Sequence, residues 1–242
     1  MTRARSSGAG GTLYLVATPI GNLEDITRRA LRILAEVDRV AAEDTRRTRR
    51  LLEHFGISAA VESLFEHNER ARVPGLIQRL EAGESVALVT DAGSPAVADP
   101  GYPLVRAAVA AGIRVESVPG PSAAIAALQV SGLPTDAFTF AGFLPVRPGA
   151  RRRRLEELSG RRETIVAFES PHRIEACLED VEALWGERPI ALARELTKTF
   201  EEVLRGSARE VRDALTAEKR RGEMVLVLSG RTRKGESPQE ET

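Results

Sequence analysis

Asp91 follows the apolar run SVALVT and opens a loop, TDAGSPAVADPG, that mixes carboxylates with glycine and proline. A carboxylate at a strand end accepts hydrogen bonds from a hydroxyl or an ammonium group. Two other stretches are built alike: ATPIGNLED after LYLV, and VPGPSAA after IRVES. Ser122 in the second stands at a helix start, where its hydroxyl and the exposed N–H groups can hold a carboxylate. Glycine lets a ligand approach the backbone, and proline fixes a loop before the ligand arrives. Together these features suit a small zwitterionic or nucleoside-like ligand. Each residue also has a plainer role, Asp91 capping the next turn and Ser122 capping a helix. Three such loops at one sheet edge favour the ligand.

Other chemistries lack their residues. No G-x-x-x-x-G-K-[ST] occurs, and GAGG at 8–11 precedes the first strand instead of following it, which argues against ATP hydrolysis and a Rossmann dinucleotide site. His54, His67 and His172 are far apart without short metal-ligand spacing, so no metal is expected. One cysteine, Cys177, leaves no internal disulfide framework and reads as a small apolar residue on a helix. Hydrophobic residues at 42% and charged residues at 29% fit a globular chain with a core. No signal peptide or membrane-length apolar run is visible, so a cytoplasmic protein is expected. Net charge is zero, yet arginine outnumbers lysine 32 to 3 and clusters at 46–50, 150–154 and 161–162. A GC-rich genome alone can produce that ratio.

The elements that must carry these loops follow from periodicity. LYLVATP, RVAAE, SVALVTD and IRVESVP read as strands, separated by helical stretches, one of which follows VESLF and runs to Gly83. Asp25 is the expected cap of the helix ITRRALRILAEVD. This alternation predicts an α/β fold with a parallel sheet covered by helices. The second half has strand-like FTFAGFLP, TIVAFES, PIALARELT, EEVLRG and EMVLVLSG, with helices at 151–158, 171–185 and 207–221. PIALARELT and EEVLRG are close enough to form an antiparallel hairpin, so a mixed sheet is expected there. The expected organisation is a tail at 1–12, an N-terminal domain at 13–122, a C-terminal domain at 123–230 and a tail at 231–242. Both tails are polar and expected to be disordered. No fixed-period repeat is visible.

Nine stretches in order carry a resemblance: LYLVATPIGNLEDIT, AEDTRRTRRLL, HNE, VTDAGSPAVADPGYPLV, VPGPSAAIAAL, SGLP, FAGFLP, FESPHRI and RELTKTFEE. From about Leu13 to Gly230 the chain resembles the rRNA-modifying branch of the tetrapyrrole-methylase-like (class III) S-adenosylmethionine methyltransferases. The resemblance implies two α/β domains that share the methyl donor, a homodimer, and a cytidine ribose 2′-hydroxyl in the decoding centre of 16S rRNA as the acceptor. Carried over by position, it implies donor contacts at Ile20, Asp91, Ser94, Ser122 and Ala123, and further ones at Phe168, Arg194 and Glu223.

Methyl transfer from a sulfonium needs oxygen, methyl carbon and sulfur in line, and orientation can supply ~7–11 kcal/mol of such a barrier. A general base adds only ~10²–10⁴-fold. Candidates for base or electrostatic helper are Glu43, Asp44, Glu195 and Lys198, the last provided that burial lowers its pKa. RELTKTFEE is equally readable as a salt-bridged hairpin. On the RNA side stand Arg46, Arg47, Arg49, Arg50, His172 and Arg173, with some of the helix arginines paired to Asp44 or Glu53. Arg151–Arg154 wrap a helix in the same way. Aromatic residues are only 4% and offer no evident stacking platform, so recognition by rRNA shape and phosphate is expected. The alternatives are a class III enzyme acting on a tetrapyrrole or a protein, and a non-catalytic ribosome-assembly RNA binder. A nucleotide-dependent sensor is a third.

Overall fold

The structure is a computed structural model and describes residues 11–231. The chain divides into two compact units after Ser122. The first holds strands β1 (Thr12–Val16), β2 (Arg39–Ala42), β3 (Val61–Ser63), β4 (Val86–Val89) and β5 (Arg114–Val118). Its helices are α1 (Arg28–Glu36), α2 (Thr45–His54), α3 (Glu69–Glu81) and α4 (Tyr102–Ala110). Every strand pair is parallel, in the order β3-β2-β4-β1-β5.

β4, VALV, is buried at every residue, as a parallel strand covered on both faces must be. One face packs Val16, Val89 and Val118 against Ile33 and Leu34 of α1 and Leu52 of α2. The other packs Leu13 and Leu88 against Leu76 and Leu80 of α3 and Leu104 of α4. The chain leaves β1 toward β2 and β3 on one side, then returns to β4 beside β1 and ends at β5. The loops after β1, β4 and β5 therefore share the carboxyl edge where such sheets bind ligands.

The α1 cap differs from expectation. Thr27, not Asp25, accepts the N–H of Ala30 at 3.0 Å. Asp25 closes a short 3-10 turn, Leu23–Asp25, capped by Asn22. Both residues are good cap types, and the extended backbone of Ile26 (φ −66°, ψ 134°) places the helix start after Thr27.

The second unit contains α5 (Ala123–Ser131), β6 (Phe138–Phe143), α6 (Pro148–Ser159), β7 (Thr164–Glu169), α7 (Ile174–Trp185), β8 (Ile190–Arg194), β9 (Glu202–Gly206), α8 (Ala208–Ala214) and β10 (Met224–Leu228). Its sheet runs β6-β7-β10-β8-β9, parallel only between β6 and β7. β8 and β9 form the expected antiparallel hairpin. Ile165, Ala167, Leu192 and Leu226 build a core with Leu155, Leu158, Leu178 and Val211 of α6, α7 and α8. α5 packs against β7, β8, β9 and β10 through residues outside that core.

The helix expected at 207–221 is shorter. A capping box between Ser207 and Glu210 opens α8, but Leu215 leaves helical geometry and buries its side chain, and a 3-10 turn follows at Ala217–Lys219. Gly11 and Thr12, assigned to a tail, are structured: the Gly11 N–H donates to the Leu80 carbonyl and Thr12 begins β1. Arg231 likewise bonds through its N–H to the Arg161 carbonyl at 2.7 Å. The rest of both expected tails lies outside the described residues. Among the described residues no helix is long and apolar enough to cross a membrane.

Candidate active site

Backbone bonds tie the loops of the first unit together. Thr18 and Gly93 exchange N–H to carbonyl hydrogen bonds at 2.9 and 3.0 Å, and the buried Thr18 hydroxyl donates to the Thr90 carbonyl at 3.0 Å. The Ala17 N–H donates to the Val118 carbonyl at 3.2 Å. A Cβ on Gly120 would stand 3.0 Å from that of Ala17, so glycine permits this approach. Ile20 is buried beside Gly93. The β1, β4 and β5 loops thus form one rim.

On that rim the Ser94 and Ser122 hydroxyls are half-buried and make no hydrogen bond among the described residues. Capping is therefore not their occupation. Asp91 is held from the side by α2: it accepts the Asp44 N–H at 3.1 Å and faces Arg47 Nη1 at 3.3 Å. Burial and the nearby Glu43 raise its pKa, with Arg47 opposing. Glu43 in turn accepts the Thr90 hydroxyl at 2.7 Å and the Asp91 N–H at 3.2 Å.

Asp44 is the cap of α2. Its side chain accepts the Arg46 N–H at 2.8 Å, and that bond holds its pKa below the usual value. A carboxylate so stabilised is a poor base. Asp99, in the same loop as Asp91, is the better one, and sequence reasoning passed over it. Burial pushes its pKa up to about 6; a bond with Thr90 opposes this, and the charges of Glu43 and Asp91 add to it. No local spacing signals this, because the cause lies across residues 43, 90, 91 and 99. The loop also holds Ala96 and Ala98 at φ 64° and 62°, a left-handed conformation that non-glycine residues adopt at a cost.

In the second unit, strand register gathers the expected residues at one sheet edge. Phe143 pairs with Phe168, Glu169 with Met224, and Met224 with Arg194. Arg194 is buried; its Nη1 reaches the Phe200 carbonyl at 3.3 Å and Glu202 at 3.4 Å. Its Nε is buried with no partner among the described residues, a donor left over for a ligand. Beside it, Lys198 Nζ lies 2.9 Å from Glu195 and 3.3 Å from Glu223. Burial alone would lower the Lys198 pKa, but the two carboxylates overrule it and leave it raised. Lys198 is thus held protonated and does not meet the condition for a base. Burial would raise Glu195, yet the bonds from Lys198 and the Glu223 N–H lower it, so it too is a weak acceptor. Glu195 and Thr197 sit at φ 50° and 65°, which fixes this turn in a strained form.

His172 is exposed at the end of β7. Arg173, expected on the substrate side, turns inward and binds the fully buried Glu169 at 2.5 Å. Arg151 is also an internal residue: it is 4% exposed and bonds Asp180 at 2.9 Å and the Ala176 carbonyl at 3.2 Å. Cys177 is buried nearby, with its thiol pushed up to about 12 by that burial and by Glu169, which suits the small apolar role read from sequence. Of the α2 arginines, Arg46 pairs with Asp44 and Arg47 with Asp91, while Arg49 and Arg50 are exposed with no ion pair among the described residues.

A five-stranded parallel unit with glycine- and proline-rich strand-end loops, joined in sequence to a mixed-sheet unit, defines a methylase of the tetrapyrrole type. The model of the Tetrapyrrole (Corrin/Porphyrin) Methylases matches residues 12–212. Among solved structures, the uroporphyrin-III-C-methyltransferase from Thermus thermophilus is 25% identical, with a TM-score of 0.63 over 90% of this chain and 94% of that one. A uroporphyrin-III C-methyl transferase structure from Thermus thermophilus, complexed with S-adenyl homocysteine, is 21% identical, with a TM-score of 0.61 over 90% of this chain and 97% of that one. Ribosomal RNA small subunit methyltransferase I of Xylella fastidiosa strain Temecula1 is 52% identical over 223 residues, 91% of this chain and 82% of the relative. The chain belongs to the tetrapyrrole methylase family, and within it to the ribosomal RNA small subunit methyltransferase I group.

Proposed function

We propose that this chain transfers the methyl group of S-adenosylmethionine to the ribose 2′-hydroxyl of a cytidine in the decoding region of 16S rRNA. The name and 52% identity of the Xylella relative support the substrate, and the methylase family supports the donor. The structural observation that carries the reading is the pair of backbone ties, Thr18–Gly93 and Ala17–Val118, which bring the unpartnered Ser94 and Ser122 hydroxyls to one rim with the exposed Gly120.

When bound, the donor supplies an electrophilic methyl carbon on a positively charged sulfur. Ile20, Asp91, Ser94 and Ser122 in the first unit, and Ala123, Phe168, Arg194 and Glu223 in the second, are the residues that would hold it. Asp91 offers negative charge to a cationic ligand, and Ser94 and Ser122 offer hydroxyls to its polar groups. Asp99 is the carboxylate suited to take the ribose hydroxyl proton, because its pKa of about 6 leaves it ionised but basic at neutral pH. Rigid loops do the rest, since orientation outweighs proton transfer in such a displacement. Arg49 and Arg50 are free to meet phosphate. The substrate is the assembled small subunit, and the working form is a homodimer.

The test is methyl transfer from labelled donor to small ribosomal subunits from cells lacking this gene. One 2′-O-methylcytidine in 16S rRNA is expected, and its loss in Asp91→Asn. Label entering a tetrapyrrole instead, or RNA binding without transfer, would reject the reading.

A further inference from the structure

Phe143 is not among the proposed donor contacts, yet a slip in strand register aims its ring. Along β6, Phe138, Thr139 and Phe140 pair in step with Thr164, Ile165 and Val166 of β7. The register then slips, so that Gly142 pairs with Ala167 and Phe143 with Phe168. Ala141 is the extra residue of a β-bulge, and Gly142 completes it at φ 64°. Side chains alternate along a strand, so without the slip Phe143 would point to the opposite face from Phe140. With it, Phe143 joins Phe140 and Phe168 on one face at the carboxyl end of β7.

The ring is exposed and yet fixed. Phe143 is 59% exposed. Its edge-to-face partner Phe168 lies 5.3 Å away, and Phe168 is braced by Phe140 at 5.1 Å. A preset ring that is more than half exposed offers π surface to another flat ring. The following segment adds charge of the right sign. Arg147, Arg152 and Arg153 are exposed and form no ion pair among the described residues, unlike Arg151 and Arg154 of the same helix. Glu156 shares that exposed face without pairing with them. Arg147 precedes α6 directly after β6, so it stands at the same strand end as Phe143, and an exposed aromatic ring near an unpaired arginine is the pattern that grips single-stranded nucleic acid.

We infer that Phe143 is a stacking platform for a base of the RNA substrate, with Arg147 holding an adjoining phosphate. This rests on RNA being the substrate. Stacking needs a π-face, so bulk alone does not replace Phe143.

The experiment compares wild type with Phe143→Ala, Phe143→Leu and Phe143→Trp as full chains. It reads small-subunit binding by filter retention, methyl-transfer kinetics, S-adenosylhomocysteine affinity by calorimetry, and mass by sedimentation. Phe143→Ala and Phe143→Leu should weaken subunit binding and raise KM about 5- to 100-fold. Phe143→Trp should restore both, with S-adenosylhomocysteine affinity and mass unchanged. Leucine performing as well as phenylalanine would overturn the inference. So would a drop in donor-site affinity without loss of RNA binding, or dissociation of an oligomer. If wild type binds subunits through Phe143 but methylates nothing, the proposed reaction fails while this assignment stands.

Discussion

Asp99 is protonated in the folded chain over a pH range where the unfolded chain has already lost its proton. With a folded pKa near 6 and an unfolded value of 3.8, stability from this group falls as pH rises from about 4 to 6, and the penalty is complete above that. Asp99→Asn should therefore raise stability at pH 7. The carboxyl is partly open to solvent, which limits the gain to about 1 kcal/mol, readable by urea denaturation. The same variant should lose ~10²–10⁴-fold in kcat and flatten the acid limb of the rate profile, which in wild type falls below pH of about 6. A wild-type profile flat down to pH 5 would remove Asp99 from the reaction. Sequence showed the aspartate but not its character, because burial and Glu43 create that character across more than fifty positions of chain.

Helix α6 sorts a run that the sequence presents as uniform. Arg151 lies in line with Leu155 and Leu158 on the buried face, whereas Arg152 and Arg153 point outward. Arg151→Ala should cost about 3 kcal/mol by leaving the Asp180 carboxylate without its partner. Arg152→Ala should stay within about 0.5 kcal/mol, and chemical denaturation separates the two. The strand-end loops carry an equivalent test. Thr18→Val keeps shape but strips the hydroxyl from the Thr90 carbonyl, which should cost about 1–3 kcal/mol in thermal denaturation and weaken donor binding. The strand–helix alternation was legible because apolar runs and helical spacing are local signals. The α1 cap was not, since Asp25 and Thr27 are both good cap residues and the backbone at Ile26 decides between them. The bulge in β6 was equally invisible, as FTFAGF reads as an unbroken strand.

For the whole molecule, a net charge of zero means that RNA attraction is a property of patches rather than of the chain at large. If about five phosphates are met, the log–log salt slope of binding is near −3.5 on the single-strand rule. Replacing Arg49 and Arg50 by alanine should reduce that slope by about 1.4, whereas Arg151→Ala should leave it unchanged. The family and its order of motifs were readable from sequence because nine stretches span nearly the entire chain. Which arginines, carboxylates and lysines within those motifs are free was not, because ion pairing and burial are settled only in the folded units. Lys198 is the clearest instance: it is one of three lysines in the sequence, and Glu195 and Glu223 keep it charged.

Calorimetric titration of the purified chain with S-adenosylhomocysteine, run beside ATP, bears most directly on the claim that rigid strand-end loops hold an S-adenosyl donor. Saturable binding of one equivalent per chain, weakened in Asp91→Asn and absent for ATP, is the predicted result. No heat from the donor analogue up to about 1 mM, the weak limit of about −4 kcal/mol, would contradict it.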